Sequence, residues 1–590
     1  MRVVPDVPAI HRRFDYSVPS SLAAEIRVGS RVRIDLHGRR IGGWVVEDDV
    51  GTTPGVAAKP LSGSSGMGPP APVVSVAEWA AWRWAGPMSS FLGTASPNRV
   101  VRAGRSAPRP GGDGRNGGRP ASPGGGSVAI VDGALGASGG CAVVRLAPAL
   151  DSTLVVLELV HRTGPAGVLV LAPSRARAEQ TVARLQDAGV AVAMMPEMWE
   201  RARTDTGVVV GTRAAAWAPI SRLVAVVVLD AHDEAYREER SPTWSAVDVA
   251  VERGRRDRAP VVLVTPCPPV SMTEGRQLVT TTRPLERRGW PTVEVVDRTA
   301  DDPRTGLFSE RLVQLVRAEL ERADGRVVCI LNRTGRIRLL ACARCGALAR
   351  CTRCGGAMAQ PEASGGLQCR RCGETRPGVC AVCDSNRLKS LRIGVTRAAD
   401  ELSALAGVDA VEITGSASPG DGAGSRLVVG TEAALHRVNR AGVVAFLDID
   451  QHLLAPRFGA GEETLALLAR AARLVGTHES DGRVQVQTRM ADHEVLQAAV
   501  HADPELLAVP ERALRLSLGL PPFGALALLR GPGAAAYAEG VRAVGEVTVS
   551  SMDAERWLVR APDHTVLCDV LAAVPRPADR LRVEVDPTDT

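Results

Sequence analysis

Between residues 128 and 488 the chain alternates short, uninterrupted apolar runs with amphipathic stretches. Val168–Leu171, Gly207–Val210, Val224–Leu229 and Val261–Val264 carry no polar side chain, the pattern of parallel strands buried on both faces rather than one-sided strands that alternate. Arg177–Ala188, between two of these runs, spaces its apolar residues as a helix does. The same grammar returns at Val327–Leu331, Leu427–Val429 and Val443–Leu447. Two successive α/β units are therefore expected, over 128–282 and 283–488. Upstream, Arg31–Leu36 alternates basic and apolar residues and Gly43–Val46 clusters around glycine turns, predicting a small β-rich domain over 1–102. A short helical stretch marked by Trp79, Trp82 and Trp84 falls within it. Residues 103–127 are Gly, Pro, Arg and Ser with almost nothing apolar; they cannot bury a core and are expected to be a flexible linker. A mixed α+β domain is expected over 489–590.

Composition narrows the class. With 590 residues, 45% of them apolar, roughly three to five globular domains are expected. No apolar run approaches the roughly 18 residues of a membrane span, and Met1–Asp6 lacks the apolar core of a signal peptide. A cytoplasmic, reducing setting is the expectation. The net charge of +6 is modest, but of 71 basic residues only Lys59 and Lys389 are lysine, a bias that a GC-rich genome explains. Locally, Arg333–Arg392 holds eleven arginines and Lys389 against Glu362, Glu374 and Asp384. Such an excess either offsets anionic metal sites or presents a nucleic-acid surface.

Eight of the twelve cysteines lie in that same segment as four Cys-x-x-Cys pairs, Cys342/Cys345, Cys351/Cys354, Cys369/Cys372 and Cys380/Cys383, separated by five, fourteen and seven residues. A two-residue spacer lets both thiolates face one ion, and two pairs complete the four-sulfur tetrahedron of structural zinc. Two Zn ions with no position left for substrate are predicted. Disulfides and a thioredoxin-like redox pair are the competing readings, and both fit poorly with a long chain lacking a secretory signal. Spacing alone leaves open which pairs share an ion.

Several segments, in order, resemble the bacterial replication-restart family PriA (primosomal protein N-prime). Val209-Val210-Gly211-Thr212-Arg213 with Trp217-Ala218-Pro219 resembles its IGTRSALFAP segment, and Ile330-Leu331-Asn332-Arg333-Thr334-Gly335 its FLNRRGY strand. Gly482–Thr488, Leu520–Gly524 and Val583–Pro587 resemble GRVIIQT, YPPFG and the closing strand. The resemblance runs nearly end to end. It implies two RecA-like helicase lobes, with the double-zinc module inserted over 338–392 of the second, and a nested ligand set in which Cys342/Cys345 join Cys380/Cys383 and Cys351/Cys354 join Cys369/Cys372.

That family is built around an ATPase, and the matching motifs have decayed. No Gly-Lys dipeptide exists in the chain, although a P-loop needs glycines for its turn and a lysine for the β/γ phosphates. The matching stretch is Arg145–Thr153, in which Ser152 takes the lysine's place beside Thr153, and Asp151 replaces a glycine. The acidic box aligns with Leu229-Asp230-Ala231-His232, the coupling motif with Thr265-Pro266-Cys267, and the arginine motif with Arg470–Thr477, Leu474 and Thr477 standing where the family's arginines act. Loss of one arginine finger alone costs about 10³–10⁵ in rate. A degenerate nucleotide site at Ser152, Thr153 and Asp230, and no catalytic residue, are the resulting expectations. The competing reading is an active ATP-dependent 3′-5′ DNA helicase with a divergent site.

The resemblance also implies a pocket for a DNA 3′ end, formed by Phe14, Asp15, Tyr16, Gly38 and Lys59: aromatic faces stack a base, and the carboxylate accepts from a 3′-hydroxyl. The competing reading makes Phe14 and Tyr16 core residues of a small barrel. The family's winged-helix module has no room in residues 103–127. Implied partners are forked or single-stranded DNA, single-stranded-DNA-binding protein, and the replicative helicase or its loader, with no membrane.

Overall fold

The computed structural model describes residues 1–51, 58–101, 122, 125–204, 207–301, 306–331, 339–361, 366–369, 372–390, 395–414 and 424–588. Most of the expected linker 103–127, the segment Asn332–Gly335 and the start of the cysteine insertion lie outside these residues.

Both α/β units form. In the first, seven strands make a wholly parallel sheet in the order Gln277–Thr280, Cys141–Arg145, Val261–Thr265, Ala225–Leu229, Val168–Leu171, Val208–Gly211, Val192–Met194. Their apolar runs are continuous because both faces are covered. Val168 and Val170 enter the core beneath helices Gly126–Leu135 and Thr153–Thr163, whereas Leu169 and Leu171 enter the opposite core with helix Ala246–Asp257. The second unit is a six-stranded parallel sheet, Thr292–Asp297, Arg483–Thr488, Val443–Phe446, Val327–Ile330, Leu427–Gly430, Val411–Ile413. These are the two RecA-like lobes. The cysteine module leaves the second lobe after Ile330 and returns to it at helix Val395–Ala406.

At the N-terminus, six strands from Arg2 to Gly66 form a β-sheet around Val3, Tyr16, Ile26, Val32, Ile34, Val45 and Leu61. Helices Ala71–Arg83 and Met88–Ala95 pack between this β-sheet, where Val4 and Trp44 join their core, and the first lobe. A run of ring contacts carries that packing, Trp79–Trp84, Trp84–Phe91, Phe91–Trp217 and Trp217–Trp244, with centroids 5.2, 6.2, 5.7 and 5.6 Å apart.

The C-terminal unit is a four-stranded antiparallel sheet with helices Ala534–Val544 and His564–Ala573. Helix Glu494–Val500 buries Val495, Leu496, Ala498 and Ala499 in the second lobe's core, and Leu507 of helix Glu505–Leu518 joins them. The C-terminal unit proper follows Leu518. No helix among the described residues is long and apolar enough to cross a membrane.

Candidate functional site: cysteine clusters, strand-end pocket and interlobe cleft

Each Cys-x-x-Cys is followed by a residue with positive φ: Gly346 (73°), Gly355 (71°), Gly373 (76°) and Asp384 (53°). This left-handed step, easy for Gly and tolerable for Asp, closes a tight turn that sets two thiols on one side. It also turns backbone N–H groups toward the first sulfur, Arg344 N to Cys342 Sγ at 3.3 Å and Val382 N to Cys380 Sγ at 3.4 Å. Burial pushes the Cys342 thiol up, but the N–H groups of Cys345 and Arg344 outweigh it and favour the thiolate.

The fold brings Cys342, Cys345, Cys380 and Cys383 into one group and Cys351, Cys354, Cys369 and Cys372 into another, with the sulfurs of each within 4.8 Å of one another. Facing sulfurs lie 3.5–3.6 Å apart. Zn–S bonds of about 2.3 Å give a tetrahedron with edges of about 3.8 Å, whereas a disulfide needs about 2.05 Å. The donor sets therefore suit tetrahedral metal ions. Among the described residues, the module has a small core cluster of Ala349, Cys351, Met358, Leu367 and Cys369, while Leu339 and Ala357 join the second lobe's core.

The end-pocket candidates share one piece of sheet. Phe14, Asp15 and Tyr16 occupy strand Phe14–Ser17, Lys59 pairs with Tyr16 in register, and Gly38 sits at φ +77° in the hairpin turn between Leu36 and Arg39. Strand alternation splits the trio. Asp15 faces outward and its carboxylate accepts from Arg2 at 2.9 and 3.4 Å. Tyr16 is only 5% exposed within the barrel core, and its hydroxyl donates to the Asp35 carbonyl at 3.1 Å. Its ring is packed in the sheet's core, and Phe14 is half-buried at the edge of the same core. The Tyr16 hydroxyl bond ties this strand to the hairpin carrying Gly38. Replacing Tyr16 with Phe should lower stability by about 1 kcal/mol, as loss of one such bond does, measured as a drop in denaturation midpoint.

In the cleft between the lobes, the groups that would serve a nucleotide are bonded to protein. Ser152 is buried at the start of helix Thr153–Thr163 and its hydroxyl accepts from Arg177 at 2.7 Å. Asp151 accepts from the Thr153 N–H at 2.9 Å and from Arg184 at 2.7 Å, so a carboxylate takes an N–H that a P-loop offers to phosphate. Asp230, 3% exposed and at φ +51°, is bound two-pronged by Arg473 from helix Ala460–Val475, one arm at 2.7 Å. Burial pushes the Asp230 carboxyl up, yet Arg473, His232 and Arg177 hold it at about 2. Arg470 of the same helix binds Asp233. His232 meets the Thr265 hydroxyl at 2.9 Å, and burial pushes its pKa down to about 4, so it is neutral near pH 7.

Arg470 and Arg473 lie in the segment aligned with the arginine motif, each four residues before Leu474 or Thr477, where the family's arginines align. A signal was present. Asp230/Asp233 and Arg470/Arg473 are both spaced by three, which suits two facing turns of backbone. The isolated cysteines Cys267, Cys329 and Cys568 are buried, as apolar packing residues should be.

Residues 2–97 match the family model for the 3′ DNA-binding domain (3′BD) of PriA. The probable replication restart protein PriA of Mycobacterium bovis is 30% identical over 584 residues, spanning 89% of this chain and 85% of that protein. The replication restart protein PriA of Bacillus subtilis is 26% identical over 351 residues, 55% of this chain and 43% of its own length. That of Haemophilus influenzae is 26% identical over 413 residues, 64% and 56%.

Proposed function

The chain belongs to the PriA family of replication restart proteins, and from that premise we propose that it recognises abandoned replication forks through DNA ends and seeds primosome assembly there without hydrolysing ATP. The carrying observation for DNA binding is the match of residues 2–97 to a 3′ DNA-binding domain, in which Phe14 and Asp15 share one strand, Lys59 lies on the strand paired with it, and Gly38 lies in a hairpin turn of the same sheet. The absence of ATP turnover is supported by the cleft, where Ser152, Asp151 and Asp230 are bonded to Arg177, Arg184 and Arg473. Zinc at the two four-cysteine sites would supply folding energy rather than chemistry, since four thiolates leave no open position. Its surplus arginines then offer phosphate contacts. Single-stranded-DNA-binding protein and the replicative helicase or its loader are the proposed protein partners, by family analogy.

Fork DNA bearing a free 3′-hydroxyl should bind several-fold more tightly than the same fork ending in a 3′-phosphate, at a fixed salt concentration. Phe14→Ala should erase that difference. Tyr16→Phe should leave it intact, because its hydroxyl serves the barrel. Fork-stimulated ATP hydrolysis by the purified protein would count against the proposal and for a helicase.

A further inference from the structure

The two lobes meet through a row of polar contacts in which each lobe serves as the other's ligand. Arg473 reaches across the cleft to both oxygens of Asp230, and its Nε donates to the Pro148 carbonyl at 3.0 Å. Pro148 lies in the loop where a P-loop would cradle phosphate. One guanidinium therefore spans the phosphate loop and the acidic box at once. Arg470 binds one oxygen of Asp233, whose carboxylate is 5% exposed.

Further contacts brace the closure at other points. Glu462 accepts from the Val270 N–H at 2.7 Å, Arg145 binds Glu505 at 2.8 Å, and Arg512 binds Glu274 at 3.0 and 3.1 Å. Backbone joins backbone as well, with Ala149 N donating to Gly289 O at 3.1 Å. Gly289 is close enough that a Cβ there would come within 2.5 Å of the Ala147 Cβ. Ala147 and Cys267 of the first lobe are buried in the second lobe's core.

A motor of this architecture needs its cleft to open and close with nucleotide, and ligand can shift such an equilibrium only by binding the two states differently. Here an arginine of the opposite lobe neutralises Asp230. We infer that the nucleotide cleft has become an internal latch, in which Arg473 and Arg470 occupy the phosphate and metal positions and hold the lobes permanently closed, without nucleotide. The two lobes and the units docked on them then form one rigid platform whose geometry does not cycle. This inference does not depend on whether forks are bound.

Hydrogen exchange and small-angle scattering on the full-length protein test it. In the wild type, millimolar Mg-ATP or its non-hydrolysable analogue should change neither the radius of gyration nor the exchange of Ala149, Ala231 and Asp233. Arg470→Ala/Arg473→Ala should speed exchange at Ala149 at least tenfold and enlarge the radius of gyration. Arg473→Lys, which keeps the charge but not the two-pronged grip, should give an intermediate increase of about threefold, and it carries the test should the double variant fail to fold. Unchanged exchange at Ala149 in a folded variant would overturn the inference. So would a nucleotide-dependent change in the wild type.

Discussion

Stripping the metal from the purified protein should unfold residues 340–390 while both parallel sheets stay folded. Each structural zinc is worth about 10–16 kcal/mol of apparent folding free energy near pH 7. Against that, the described residues of the module offer a small cluster, Ala349, Cys351, Met358, Leu367 and Cys369, and a few two- to four-residue strands. The lobes have large buried cores outside the module and should survive. Thiol titration reads the result directly: eight cysteines should become reactive on chelation, with release of two equivalents of zinc, and Cys267, Cys329 and Cys568 should stay protected in their cores. Cys351→Ser should release one equivalent and leave the other cluster loaded. A protein that carries no zinc as purified, or whose eight thiols react before chelation, would contradict the assignment.

Asp586→Asn should cost about 1.5–3 kcal/mol, the range for losing charged hydrogen bonds, since its carboxylate is partly buried. Arg83, 9% exposed at the end of helix Ala71–Arg83, donates to Asp586 at 2.6 Å, and His564 meets the other carboxylate oxygen at 2.7 Å. Asn tolerates the left-handed backbone at this position, φ +54°, so charge rather than conformation is what the substitution removes. Burial pushes the Asp586 carboxyl up, but Arg83 and His564 together hold it well below its ordinary value of 3.8. The sign follows from linkage: the pair stabilises the fold fully above about pH 4, and its contribution is lost as pH falls further toward the depressed folded value. Trp82 to Asp569 at 2.8 Å and Cys568 to the Arg83 carbonyl at 3.2 Å belong to the same junction. Calorimetry should therefore show a lowered and broadened transition for the variant, with the C-terminal sheet melting before the lobes. A shift below about 1 kcal/mol, or one unchanged in size between pH 7 and pH 3, would refute this account.

Legibility varied with the kind of interaction. The parallel strands could be read from continuous apolar runs because burial on both faces leaves no polar alternation, and Val168–Leu171 and Val261–Thr265 lie where the pattern puts them. The cysteine groups were equally plain, since ligand type and a two-residue spacer are local properties. Packing partners were less so. Trp79 and Trp84 belong to a helical stretch of the N-terminal segment, and the ring row that runs through Phe91 onto Trp217 of the first lobe could not be read, since no local pattern names a helix's partner. Tyr16 shows the same limit. Its sequence neighbours suggest a ligand pocket, while strand alternation and the Asp35 carbonyl place it in the core.

The sequence by itself determined that two buried parallel sheets, eight thiolate ligands and no P-loop lysine coexist in one chain, because each rests on residues close together along the backbone. Only the tertiary structure decided how the cysteine pairs combine into two groups and what replaced the nucleotide. Arg473 and Asp230 are 243 residues apart, and a buried carboxylate accepts whichever cation the fold delivers to it. Burial made that pairing obligatory, since either charge left alone in the cleft would be costly; which arginine arrives is a property of how the lobes close.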